Sequence, residues 1–300
     1  ARIAPLYGPG LPDAYREAYS ARAAVADIRT WESLSDGQIA VSLYEPLDAP
    51  ESQRRFKVFR VGRPMTRLEV LPILSALDVE VVDEHPYVIR RDGQPTAYLY
   101  DFGLTVRNYD DLPGLDTLVE RFSDAFIAAY NGLVESDAVL GLVTRAGLTW
   151  RQASFVQAWV LYSHQIGSRF SYSSVAATLI SHPDIVRTLV EWFTTRFDPE
   201  LPAGVDRQQR SDELAERLAR QLDEVLNLDT DRILRGLIEI VGAILRTNAF
   251  QVLPDGTPKP WLSFKFDPRA VPGMPEPRPR FEIWVNSPRT SGVHLRFGPV

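Results

Sequence analysis

Between residues 132 and 247 apolar residues recur at helical spacing almost without a break, and on either side the pattern changes to the alternation of strands. One element type cannot accept both periods, because strand side chains repeat every two residues and helical ones every 3.6. The chain must therefore divide: an N-terminal lead over 1–37, a mixed α+β part over 38–131, a helical part over 132–247 and a strand-rich part over 248–300. In the lead, Tyr15, Ala18, Tyr19, Ala23 and Ala26 make a weak stripe that predicts one short helix over Asp13 to Ile28.

In the mixed part, Ile39, Val41 and Leu43 alternate with small or polar residues, and Phe56, Val58, Phe59 and Val61 continue as a second strand. Thr66 and Glu69 then stand at capping-box spacing, with Met65 and Val70 placed as a hydrophobic staple, so a helix should begin there. Pro72 falls too deep for the first helical turn and should bend it. Val79, Val81 and Val82 predict a third strand. Tyr87 to Arg91 and Thr96 to Phe102 flank Asp92-Gly93-Gln94-Pro95 as a hairpin. Asp116 is placed to cap a helix whose Leu118, Phe122, Ala125, Phe126 and Ala129 share a face. Strand, helix, strand, strand, helix is the order of a ferredoxin-like α/β sandwich.

In the helical part, Thr149 and Gln152 form a second capping box ahead of Phe155, Val156, Trp159, Val160 and Ile166. Ser181 and Pro183 mark a helix start whose face is Ile185, Val186, Leu189, Val190 and Phe193. Asp206 to Leu226 is charged except for Leu214, Leu218, Leu222 and Val225, the pattern of a mostly exposed helix. Asp229 to Arg246 is apolar nearly all round and is expected to be the buried centre of the bundle. The chain ends in three strand-like runs, Trp261 to Phe266, Phe281 to Val285 and Gly292 to Phe297, with nothing after them to complete a sheet. That ending is expected of a piece of a longer polypeptide.

Composition excludes several functions. A net charge of -6 without a basic block argues against nucleic acid, and no apolar run is long enough to cross a membrane as a helix. With no cysteine there is no disulfide, thiolate metal site or cysteine nucleophile, which fits a cytoplasmic protein. Phosphate-binding glycine loops and the G-x-S-x-G elbow are absent. His85, His164, His182 and His294 lack zinc-ligand spacing, so an independent enzyme built on His164 or His182 has no visible partner residues. One loop, Gly62, Arg63, Pro64, Met65 and Thr66, lies between a strand and a helix N-terminus and can aim backbone N–H groups at a carboxylate. Gly62, Arg63, Met65 and Thr66 are the candidate effector-binding residues. The alternative is a turn that needs Gly62 for its bend and Thr66 for its cap.

Several stretches carry a resemblance: Phe56 to Pro64 (FKVFRVGRP), Val79 to Tyr87 (VEVVDEHPY), Leu115 to Phe126 (LDTLVERFSDAF), Ala146 to Gln152 (AGLTWRQ), Asp231 to Asn248 (DRILRGLIEIVGAILRTN), Trp261 to Pro268 (WLSFKFDP) and Phe281 to Pro299 (FEIWVNSPRTSGVHLRFGP). With these the chain resembles the large-subunit NAD-specific glutamate dehydrogenases of bacteria. The resemblance implies a cytoplasmic oxidoreductase, homo-oligomeric and expected to be tetrameric, that interconverts L-glutamate with 2-oxoglutarate and ammonia using NAD. It makes residues 38–131 an ACT-type module, followed by helical motifs and, from 248, the first strands of a catalytic domain. Gly298-Pro299 is similar to the opening of the family's G-P-x-x-G-G-x-R substrate motif, whose remainder would follow Val300. The implied catalytic lysine and the NAD-binding domain would follow as well, so no catalytic residue, cofactor-binding residue or metal ligand is expected here. The expected partners are the rest of the polypeptide and an amino-acid effector. The competing expectation is a free-standing ACT-type amino-acid sensor or protein-interaction module.

Overall fold

The computed structural model describes residues 7, 9–46, 50, 52–106, 115–202, 204–271 and 273–298. The chain forms two compact units, Ala1–Asn131 and Gly132–Val300.

The first unit begins with two helices, α1 (Asp13–Ala18) and α2 (Ala21–Glu32), where the stripe had predicted one. Tyr19 is extended, and the Ser20 hydroxyl accepts from the Ala23 amide to start α2. A serine able to cap competes with helix continuation, which explains the break. Next come β1 (Ile39–Tyr44), β2 (Gln53–Val61), α3 (Arg67–Ala76), β3 (Val79–Ile89), β4 (Ala97–Val106) and α4 (Leu115–Tyr130). The two short strands expected around Val79 and Tyr87 are one strand, β3, bulged between Val81 and Asp83 and containing Pro86. Proline is tolerated because β3 is an edge of the sheet. Pro72 does lie inside α3, as its position suggested. Asp116, expected as an N-cap, lies inside α4, which already includes Leu115.

All pairings are antiparallel, in the order β1-β2-β4-β3. The edge beside β2, which a ferredoxin-like chain fills with a strand following its second helix, is here filled by β1 from ahead of β2. The layout is the expected sandwich with that edge strand moved to the other end. One sheet face packs on α3 and α4. Phe56 meets Phe122 and Phe126 at ring-centroid distances of 5.3 and 4.9 Å, and Leu118, Phe122, Ala125, Phe126 and Ala129 are all buried as the helical stripe requires. Tyr7, Tyr15, Ile28 and Trp31 cover the other face, against Phe59, Val61, Tyr87, Ile89, Ala97 and Leu99. Because both faces are covered, β2 and β4 are buried along nearly their whole length.

The second unit has helices α5 (Leu142–Ala146), α6 (Trp150–Gln165), α7 (Tyr172–Ser181), α8 (Pro183–Phe197), α9 (Arg207–Asp223) and α10 (Leu228–Gly242). The Thr149–Gln152 capping box starts α6. Leu214, Leu218 and Leu222 are the buried stripe of α9. The centre of the bundle is α6, buried without interruption from Ala153 to Val160. The expected centre, α10, stops at Gly242, and its continuation Ile244–Thr247 is a strand, β5. Leu245 is half exposed there, so its apolar side chain did not signal a helix interior.

With β6 (Leu262–Phe266), β7 (Phe281–Ser287) and β8 (Thr290–Arg296), β5 makes a four-stranded antiparallel sheet in sequential order. Ile244–Thr247, continuing the apolar run of the helix before it, supplies the fourth strand of this sheet at its edge. Leu262, Phe264, Phe266 and Trp284 turn inward onto the helices, where Tyr162 stacks on Phe266 at 4.1 Å and the Trp284 indole N–H donates to the Ala158 carbonyl.

Candidate functional site

The loop at the head of α3 has the geometry of an anion cradle, but the N–H groups of Gly62, Met65 and Thr66 are already engaged. Gly62 has φ +96°, and a Cβ there would stand 1.7 Å from Asp36 Oδ1, so glycine is obligatory for both conformation and space. Its N–H donates to the Thr96 carbonyl, and the Met65 N–H donates to the Tyr100 hydroxyl at 2.8 Å. The Thr66 N–H donates to Glu69 Oε2 at 2.8 Å, closing the capping box. Glu69 also takes Arg63 at 2.9 Å and faces the buried Arg60 at 3.8 Å. The backbone N–H of Thr66 and the neighbouring arginine hold the Glu69 carboxyl below its ordinary pKa. A side chain of this protein thus lies where the carboxylate of an effector was expected. Met65 is buried, and Arg63 is exposed on the outer side.

A second constellation, unread in the sequence, lies on the opposite face of the same sheet. The register places Tyr44, Arg55, Gly103 and Asp83 in one row across the strands, and Ser42, Lys57, Asp101 and His85 in the next. Lys57 Nζ is 2.7 Å from Asp27 Oδ2 of α2, which also accepts from the Tyr15 hydroxyl at 2.7 Å. Its ammonium stands 3.9 Å from the Tyr19 ring centroid and 5.5 Å from that of Tyr44. Asp101 accepts from Tyr19, from Tyr44 at 2.9 Å and from Arg55 Nε at 2.9 Å. Arg55 then reaches Asp83 at 2.7 Å, over Gly103, where a Cβ would stand 2.5 Å from the Asp83 carboxylate. A glycine in a central strand is explained by that bridge. Lys57, Asp27 and Asp101 are all at least nine-tenths buried, at 6, 5 and 2 % exposure. Burial, and then the hydrogen bonds to carboxylates, push the Tyr15 and Tyr19 hydroxyls well above the ordinary tyrosine range. The buried charges of this network are paired and hydrogen-bonded, which joins the helical layer to the sheet. The sequence signal was a lysine between Phe56 and Val58, in a strand otherwise fit for burial on both faces.

The histidines stay apart. His182 Nδ1 lies 2.8 Å from the Thr178 carbonyl, and the ring of His164 packs beside Tyr172. Among the described residues no group of three or more His, Cys, Asp or Glu could hold a metal ion, and no helix is long and apolar enough to cross a membrane. Pro299, part of the motif expected at the end of the chain, lies outside the described residues.

Comparison with known families matches the chain segment by segment. Residues 1–34 match "Glutamate dehydrogenase, helical motif 2", 38–115 "Glutamate dehydrogenase, ACT3 domain", 134–199 "Glutamate dehydrogenase, helical motif 3" and 217–300 "Bacterial NAD-glutamate dehydrogenase, catalytic domain". The chain belongs to the bacterial NAD-specific glutamate dehydrogenase family. Among its relatives are proteins named NAD-specific glutamate dehydrogenase from Pseudomonas aeruginosa, 38% identical over 97% of this chain, and Halomonas elongata, 38% identical over 96%. That of Mycobacterium tuberculosis is 36% identical over 98%. The chain spans 18% of the length of each of these glutamate dehydrogenases. Within the glutamate dehydrogenase framework, the first unit joins a helical motif to an ACT-type sheet through the Asp27–Lys57 network. In the second unit, the match to the catalytic domain begins inside α9 and takes in α10 and the β5–β8 sheet.

Proposed function

We propose that this chain is a non-catalytic, architectural and regulatory segment of an NAD-dependent glutamate dehydrogenase. The whole enzyme would convert L-glutamate, NAD and water to 2-oxoglutarate, ammonia and NADH, with the catalytic residues and the NAD site on other parts of the polypeptide. In this reading the segment works in the cytoplasm as part of a homo-oligomer. The observation that carries it is the state of the loop at Gly62 to Thr66: the Thr66 amide that an effector carboxylate would take is held by Glu69, a carboxylate tethered to the same helix. A tethered group acts at high effective concentration, so a free amino acid would have to displace it. The helical layer and the sheet are meanwhile held together by the buried Lys57–Asp27 pair and the hydrogen bonds around Asp101.

The test has two parts. The chain incubated with NADH, 2-oxoglutarate and ammonium should give no NADH oxidation above a buffer control, and turnover that survives repurification would overturn the reading. Calorimetric titration with amino acids separates the two roles. Heat of binding that is lost in Gly62→Ala and gained in strength in Glu69→Gln assigns an effector site to Gly62, Arg63, Met65 and Thr66. No heat in either protein leaves the segment as scaffold alone.

A further inference from the structure

The second unit contains a cavity of about 330 Å³ between the end of α6, the start of α7 and the middle of α10. Its walls include Val175, Ile233, Leu237 and Ile240, and two arginines, Arg169 and Arg232, line it too. From the volume, at the lower end of the roughly 300–1,000 Å³ typical of ligand sites, the occupant must be small. The apolar walls require a hydrocarbon body, and the paired guanidinium groups require an anionic head, for which arginine's fork is suited to carboxylates.

The arginines are weakly used by the protein. Asp229 is the acid nearest both, at 3.8 Å from Arg169 and 3.5 Å from Arg232, longer than the roughly 2.7–2.9 Å of a charge-assisted hydrogen bond. The Arg169 side chain, 4.9 Å from the Phe170 ring centroid, is 61 % exposed and that of Arg232 is 47 % exposed, so one loosely held carboxylate faces two solvent-accessible cations. Gly236, on the wall contributed by α10, is a helix-interior residue whose added Cβ would meet no atom within 4 Å. A glycine there costs helix stability relative to alanine and leaves the cavity open.

We infer that this cavity is a binding site for a short aliphatic carboxylate, its hydrocarbon chain among Val175, Ile233, Leu237 and Ile240 and its carboxylate between Arg169 and Arg232. The inference is independent of the effector reading for the Gly62 loop, which lies in the other unit. The site draws Ser163 and Val175 from the stretch matching helical motif 3 and Arg232 to Ile240 from the stretch matching the catalytic domain. A ligand bound there would therefore tie the two stretches together, and it would favour whichever arrangement of them binds it better.

The probe is 4-methylpentanoate, with the neutral isostere 4-methylpentanamide as control, titrated into the 300-residue chain by calorimetry and by methyl NMR of the isoleucine, leucine and valine side chains. Saturable binding with a Kd of order 1 mM or tighter is expected. The amide should bind at least tenfold more weakly, as should the carboxylate to Arg232→Gln. Asp229→Asn should tighten binding by removing the competing acid. Gly236→Leu should fill the cavity and abolish binding while melting no lower than the parent protein, since it gains helix propensity. Absence of binding to the parent protein overturns the site. Equal binding of the amide overturns the carboxylate assignment, and unchanged binding to Gly236→Leu overturns the location.

Discussion

Replacing Lys57 with methionine tests whether the first unit is held together by its buried ion pairs. The side chain is 6 % exposed and its ammonium is 2.7 Å from Asp27, itself 5 % exposed. Removing the lysine leaves Asp27 buried with the Tyr15 hydroxyl as its remaining donor among the hydrogen bonds described. Breaking a buried pair from one side costs about 3–5 kcal/mol, since the surviving charge stays desolvated. The lost contact with the Tyr19 ring adds about 0.5–2 kcal/mol. Replacing both partners, Lys57→Met with Asp27→Asn, should recover most of that loss, because the neutral amide leaves no unpaired buried charge and still offers the Tyr15 hydroxyl an acceptor. The measurement is urea unfolding followed by fluorine NMR of protein labelled with fluorotryptophan. Trp31 is the tryptophan within residues 1–131, and its resonance reports on the first unit alone. A single-mutant loss below about 1 kcal/mol, or a double mutant no better than the single, would refute the argument that the pair's desolvation cost is offset only by the pairing itself.

Gly62→Ala should destabilise the same unit by about 1–3 kcal/mol, because a left-handed φ and a clash with Asp36 coincide there. An unfolding midpoint unchanged by that substitution would show that the loop relaxes. In the second unit, burial raises the pKa of Glu282, with the Tyr162 hydroxyl partly opposing the shift from 3.0 Å. A carboxyl whose pKa is higher folded than unfolded favours the folded state below its unfolded pKa and loses that contribution as pH rises through the folded value. Against whatever pH dependence the other carboxyls of this unit contribute, stability should therefore fall more across that interval in the parent than in Glu282→Gln, which keeps an acceptor for Tyr162. Equal slopes in urea titrations at several pH values would contradict this.

Much of the fold could be read from local pattern because local physics decided it. The faces of α4 and α9, the capping boxes at Thr66 and Thr149, and the junction at Pro183 all depend on residues within a few positions of one another. Where the reading missed, the deciding partner was distant. Ile244–Thr247 continues the apolar run of α10 in sequence yet pairs with β6, and one extra strand turns three terminal runs into a sheet. By spacing, Tyr19 belongs to the apolar stripe of a single helix running through Ser20, but Ser20 caps a new helix and Tyr19 reaches Asp101.

The candidate site divides in the same way. The sequence by itself determined that a glycine-led loop enters a capped helix, because φ preference, capping spacing and helix polarity are all local properties. Only the tertiary structure decided that the Gly62 and Met65 amides are taken and the space beside Gly62 filled, since Thr96, Tyr100 and Asp36 come from elsewhere in the chain. The same holds for Lys57. Its burial depends on Asp27, Tyr19 and Tyr44 arriving over one row of a sheet, and the order of the strands, which carries no local code, puts Asp101 beside it.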